Sequence, residues 1–362
     1  MRRALVFALA AVGCGKHLNP DWCAQPGHSD PACRDAVDAM AMPTSCVGDD
    51  GCAGSVCLPE GTCADPASVL YASSMGAGTA CTSVARCSLA TAIDQATPSR
   101  GVVALDPGIY RGAVAIDRPV RLLGHHATLQ GAAAGDTVTV TSNGTVELDD
   151  LSITGASAGN GISCASGTLI AHVVVVSHNL LGVTSACALR LDRSIVFENS
   201  NGALAVTAGA IDVRNNFIVN NGNPMLGRTA NVTIAAGVTG SFAFNTVAYN
   251  DAKVNANPGI DCNSAAVTGD GNIVTDNTHK GAFNVDPQVS GACDFTRSYT
   301  APGAGGNDLA WVNVATSDFH LTSASTAVLD SPTLTCSGRD DVDGEARPLG
   351  KGCDYGADEL AP

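Results

Sequence analysis

Short apolar runs rich in Val and Ile return along the middle of the chain at a near-constant interval, separated by Asn, Gly and Ser. Set in steps of 22, the segments 148–153, 170–175, 192–197 and 214–219 fall into register, and 244–248 and 271–275 follow after insertions. Two apolar columns emerge, Leu151, Val173, Ile195, Phe217 and Ile153, Val175, Phe197, Val219. A polar column precedes them, Asp150, His172, Ser194, Asn216, Asn245, Asn272, and another follows, Gly155, Ser177, Asn199, Asn221, Asn250, Asn277. Short β-branched strands with polar corners at constant period predict a stacked β-solenoid. Helical repeats need about 33 residues or more and Ala/Leu-rich helices, which this chain lacks. The Asn positions predict ladders of side-chain amides bonded along the stacking axis.

Charge supports that register. At the same step Arg190 meets Asp212 and Asp192 meets Arg214, and opposite charges across neighbouring strands favour it over a slip. Alternation would then bury Arg193, so a bend is expected near Arg193-Ser194. The 362 residues carry 34 acidic against 19 basic side chains, a net charge of −15, which argues against a nucleic-acid partner. Fifteen cysteines imply an oxidising compartment or metal.

The amino terminus gives the expected address. Arg2 and Arg3 precede an apolar stretch from Ala4 to Val12 that is too short to span a bilayer but suits a signal peptide, 1–13. Leu9 to Cys14 resembles a bacterial lipobox, so Cys14 is the expected lipidation site and 14–66 a lipidated spacer. That spacer holds Cys23, Cys33, Cys46, Cys52, Cys57 and Cys63 with little to bury, which implies disulfides whose pairing spacing does not decide. It resembles Cys-rich modules of secreted proteins from delta-type proteobacteria. A zinc site is the alternative, with His17 and His28 outside the tightest cluster and no CxxC pair present.

Residues 67–300 read as the solenoid and 301–362 as a C-terminal coil and cap. The stretch resembles the single-stranded right-handed parallel β-helix of the pectate-lyase-like superfamily, an all-β fold. Cys87 to Ile93 resembles the CSLREA-type opening motif, with Ala90 and Thr91 in place of its Arg and Glu; 103–110 and 120–131 resemble the first coils. At the far end, 343–348 and 353–359 resemble the terminal DG-x-x-RP and D-x-GA-x-E signature. The resemblance implies architecture alone, because the fold hosts lyases, hydrolases, adhesins and spacers.

Candidate chemistry is sparse. The lyases and hydrolases of this superfamily use clustered Asp with Arg, Lys or His, and the adjacent Asp-Asp pairs here are Asp49-Asp50, Asp149-Asp150 and Asp340-Asp341. Asp150, His172 and Ser194 stack at a step of 22 like a nucleophilic triad, yet the column continues as Asn, which marks a corner. Asp341, Asp343 and Glu345 flank Gly344 as in part of a calcium loop but lack an EF-hand's distal Glu; a turn closing the cap explains them. His125-His126 read as a surface turn. No catalytic residue and no cofactor is assigned. Cys164 and Cys187, one coil plus one residue apart, are expected to bond, as are Cys81–Cys87, Cys262–Cys293 and Cys336–Cys353. The expected protein is a monomeric, envelope-anchored, non-catalytic β-helix at the outer membrane or cell surface. It would be structural or adhesive, with a glycan or surface-protein partner. The alternative is a polysaccharide lyase or glycoside hydrolase on the same fold.

Overall fold

A computed structural model describes residues 46–223, 230–252, 259–279, 282–283, 287–301, 309–336 and 339–361. The expected signal peptide, Cys14, His17, Cys23, His28 and Cys33 lie outside the described residues. The chain divides into two compact units, Met1–Ala67 and Ser68–Pro362. In the first, Cys46–Cys57 and Cys52–Cys63 interlace two loops, with Cα atoms 5.8 and 5.5 Å apart. Those sulfurs are therefore not zinc ligands. Asp49 accepts a hydrogen bond from the Cys57 amide at 2.7 Å, which makes it a turn residue.

The second unit is a parallel β-helix. A helix, Leu89–Gln95, capped by the Ser88 hydroxyl accepting from the Thr91 amide, buries Leu89, Ala92 and Ile93 at the entry. Beyond it each coil contributes to three stacks of strands. The first stack holds Thr168–His172, Ala188–Asp192, Ala210–Arg214 and Thr239–Ala243. The second holds Val175–Ser177, Ile195–Phe197, Phe217–Val219, Thr246–Ala248 and Ile273–Thr275. The third is an eight-stranded parallel sheet that includes Asn160–Cys164, Leu181–Ser185, Leu204–Val206 and Val232–Ile234. Earlier strands, Val120–Gln130 and Thr145–Thr154, run through the first two stacks without a break. Inward columns Leu148–Ala171–Leu191–Val213–Phe242 and Ile153–Val176–Val196–Ile218–Val247–Val274 fill the interior and are fully buried.

The coil length is not constant. Successive Asn positions step by 20, 22, 29 and 27 residues, from Asn179 through Asn199, Asn221 and Asn250 to Asn277. Strands and corners keep their length and the loops absorb the difference. Each Asn amide donates to the carbonyl oxygen of the next Asn side chain, at 3.1 Å for Asn179–Asn199 and 2.8 Å for Asn250–Asn277. The row ends on Gln288. A second row runs Asn216–Asn245–Asn272, preceded by Ser194 and followed by Ser298.

Every rung follows a residue in the left-handed region. Asp150, Val173, Arg193, Asn215 and Phe244 precede the first corner, and His178, Glu198, Asn220, Tyr249 and Asp276 the second, all with φ between 50 and 57°. Such a φ is costly for Val or Phe and persists only where surroundings over-determine it. Where an Asn follows, as after Phe244, its side chain supplies that constraint by bonding backbone groups of its own and the preceding coil and the Asn side chain of the next. Arg193, at φ 50°, is the bend that the charge register demanded.

This geometry corrects two columns. Ser177 and Gly155 are not rungs; Asn179 is the rung, and it receives the Ala156 amide. Asp150 and His172 leave the first polar column as well, since Ser194 caps the Val174 amide and not residue 172. The apolar column Ile195–Phe217 and its neighbour Phe197–Val219 face outward. They are covered by the C-terminal segment, whose Leu309, Trp311, Phe319, Leu321, Val328 and Val342 pack on Phe217, Val219, Ala248 and Ile273. Residues 309–361 therefore form a layer along the second stack, where an end cap was expected.

Candidate functional site

The outer face of the first stack carries rows of charged side chains that follow the coils. Asp149 lies opposite His172, His172 opposite Asp192, and Asp192 opposite Arg214. Period-2 alternation turns these residues outward while Leu148, Ala171, Leu191 and Val213 turn inward. One row over, Arg121 lies opposite Glu147, and Arg190 opposite Asp212. The face therefore brings Asp, His and Arg from four coils together, which is the raw material of glycan chemistry.

The contacts decide what it can do. His172 Nδ1 is 2.6 Å from Asp149 Oδ1. Asp192, 6% exposed, meets Arg190 Nη2 at 3.1 Å, Arg214 Nε at 3.5 Å and the Asn215 amide at 3.4 Å. Arg214 also reaches Asp212 at 3.5 Å, and Asp212 accepts from Ser241 at 3.0 Å. Arg121 pairs with Glu147. Hydrolysis by two carboxylates requires one that can give and take a proton and one that can act as nucleophile or base. Both Asp192 oxygens are engaged by donors, Arg190 on one and Arg214 and Asn215 on the other. Asp149 and Asp192 are also two coils apart, about 10 Å along the axis. What remains is an Asp149–His172 dyad with Nδ1 engaged.

The candidate triad does not assemble. Asp150 turns to His126, receiving its amide at 3.0 Å and approaching Nδ1 at 2.8 Å. Ser194 Oγ donates to the Asp192 carbonyl at 2.8 Å and accepts the Val174 amide at 3.1 Å. Asp150, His172 and Ser194 therefore belong to three different columns. A coil of 23 residues followed by one of 20 separated them. His125 and His126 both take positive φ, and His125 Nδ1 lies 3.1 Å from the Leu105 carbonyl.

The calcium candidates resolve into a turn. Asp341 is fully buried; its Oδ1 accepts the amides of Asp343 and Glu345 at 3.0 and 2.8 Å, and its Oδ2 accepts the Glu359 amide at 3.1 Å. Asp343 points to His320, and Glu345 is exposed. Arg347 anchors the terminal motif. Arg347 is fully buried, 3.0 Å from Glu359 Oε2, donates to the carbonyls of Asp354 and Gly356, and lies 5.1 Å above the Phe244 ring. Gly356, at φ 88°, approaches so closely that a Cβ would stand 2.6 Å from Thr246 Oγ1, and the next amide, Ala357, donates to that oxygen. No periodic signal could have found the Arg347–Glu359 pair or His320, since neither repeats.

The four expected disulfide partners outside the spacer are Cys81–Cys87, Cys164–Cys187, Cys262–Cys293 and Cys336–Cys353, with Cα separations of 4.7, 5.8, 5.6 and 6.1 Å. Cys164 ends a third-stack strand and Cys187 follows the strand of the next coil, so the bond staples neighbouring coils. Among the described residues no helix is long and apolar enough to cross a membrane.

Neither a family model nor a curated protein matches the chain. A solved structure of the pectate lyase Pel9A is similar to it, with 11% identity, a TM-score of 0.49, and coverage of 80% of this chain and 96% of that one. At that level the likeness carries no functional argument, and the β-helix stands on the strand register described above.

Proposed function

We propose that the protein is an exported, lipid-anchored and non-catalytic β-helix that serves as a rigid structural or adhesive surface at the outer membrane. In this reading it acts as a monomer on a glycan or surface-protein partner. The observation that carries the reading is the pairing on the first-stack face. There Asp149 lies against His172, and Asp192 against Arg214, of the next coil, while Arg190–Asp192 and Arg214–Asp212 pair along their own strands, so the charge joins coils and leaves few groups for proton transfer. Six disulfides among the described residues support an oxidising destination. The anchor is tested by Cys14→Ser, which should release the protein from membranes and abolish labelling by a fatty-acid analogue. Unchanged membrane association would contradict it.

The second reading is a carbohydrate-active enzyme, either lyase or hydrolase. It is favoured by one contact: a carboxylate on Nδ1 is how a general-base histidine is oriented, and Asp149 occupies that place on His172. The two readings separate by turnover on a panel of acidic and neutral glycans.

A further inference from the structure

A second titratable cluster lies in the C-terminal layer, away from the first-stack face. The strand Asp318–Leu321 and the terminal motif bring His320, Asp343 and Asp358 together, with one ligand atom of each within 4.8 Å of the others. Asp318 Oδ1 lies 2.6 Å from His320 Nδ1, and Asp343 Oδ2 lies 2.8 Å from Nε2. The Phe217 ring meets the imidazole edge-on at 5.1 Å and restricts its rotation. Asp358 is 6% exposed, and its Oδ2 accepts the Leu321 amide at 2.6 Å.

An imidazole nitrogen and two carboxylates, one of them buried, therefore converge from three segments at ligand spacing. A histidine that donates its Nδ1 hydrogen to a carboxylate has its tautomer set with Nε2 directed at the remaining ligands, the usual outer support of a metal-bound imidazole.

We propose that His320 Nε2, Asp343 and Asp358 bind one divalent transition ion of the zinc type, with Asp318 as the positioning residue. One nitrogen with two carboxylates suits zinc, whose bonds to such ligands are about 2.0–2.2 Å, and the nitrogen disfavours calcium and magnesium. Three protein ligands leave a fourth position for water. Binding replaces the hydrogen shared between Nε2 and Asp343, and that proton leaves to solvent. The ion ties the strand Asp318–Leu321 to the turn at Asp343 and the segment at Asp358, which are otherwise joined there by single hydrogen bonds.

The test uses the full chain, stripped with chelator and titrated with Zn²⁺ alone, reading stoichiometry by calorimetry and the midpoint of thermal unfolding. One equivalent should bind and raise the midpoint, and a hundredfold excess of Ca²⁺ should not displace it. Asp318→Asn should weaken binding by about 10- to 100-fold, and His320→Gln and Asp343→Asn by at least as much. Asp343 is at an exposed position, so its variant keeps the test clear of misfolding, and His126→Ala should leave the affinity unchanged. Absence of stoichiometric binding, or equal binding by the wild type, His320→Gln and Asp343→Asn, would overturn the site.

Discussion

The layer from Leu309 to Ala361 packs on the outer face of the second stack of the coils, and coils and layer are held by different means. The coils repeat, and each rung of Asn199, Asn221 and Asn250 bonds to the next. The layer repeats nothing. Asp341, Asp354, Asp358 and Glu359 fasten backbone amides, and Arg347 is buried among carbonyls and one carboxylate. In the coils the cost of a lost contact is shared with neighbouring rungs. In the layer a single buried charge has no substitute, so the two regions should fail differently.

The largest effect should come from Arg347→Met. Removing one partner of a buried ion pair costs about 3–5 kcal/mol, because Glu359 is left charged without its counterion. Emission from Trp311, which packs on Phe319 in the layer, should report loss of this region in denaturant before the far-UV signal of the coils changes. Simultaneous loss of both signals would merge the regions into one unit. Next comes the staple. Cys164→Ser with Cys187→Ser opens a link of sequence separation 23 and should cost about 3 kcal/mol, measured by the coil transition with the layer signal following it.

Asn221→Ala should be smaller, about 1–3 kcal/mol, since it leaves the Val196 and Val219 carbonyls and the Asn199 amide without their partner. Hydrogen exchange should rise at residues 199–221 and stay unchanged in the layer. Arg190→Glu should be smallest, below about 1 kcal/mol, because the guanidinium is partly exposed. A double-mutant cycle should couple Arg190 to Asp192, its contact, more strongly than to Asp212, which lies opposite it in the register. The reverse order would shift weight to the cross-strand pair.

The same contrast explains what was legible in the sequence. Strands and Asn rungs recur, so the solenoid, the Asn199–Asn221–Asn250–Asn277 row and the Arg190–Asp212 register could be read before any coordinates. The slip to Ser177 came from loops: the coil from Asn179 to Asn199 has 20 residues, so a step of 22 back from Asn199 lands two residues short, and after the coil of 23 before it Gly155 is still one residue short of Ala156. The same slip drew Asp150 and His172 into the column of Ser194. The apolar column through Ile195 and Phe217 gave no facing, because apolar residues on both faces of a strand carry no sign of which face meets the interior. Their alternating neighbours Val196 and Ile218 fill the interior, and the outer set awaits the C-terminal layer. His320 and Arg347 depend on contacts across unrelated segments, for which spacing carries no information.

The central claim, that the charged first-stack face joins coils and does no chemistry, is tested most directly by turnover. The purified chain, with and without His172→Ala, is incubated with a panel of polygalacturonate, alginate, other acidic glycans and neutral glycans. Unsaturated uronate and new reducing ends are followed together. The account predicts no product above the blank from either protein, and a modest loss of thermal stability in the variant. Product formed by the wild type and abolished by His172→Ala, with the fold intact by circular dichroism, would contradict it and make the Asp149–His172 dyad an active site.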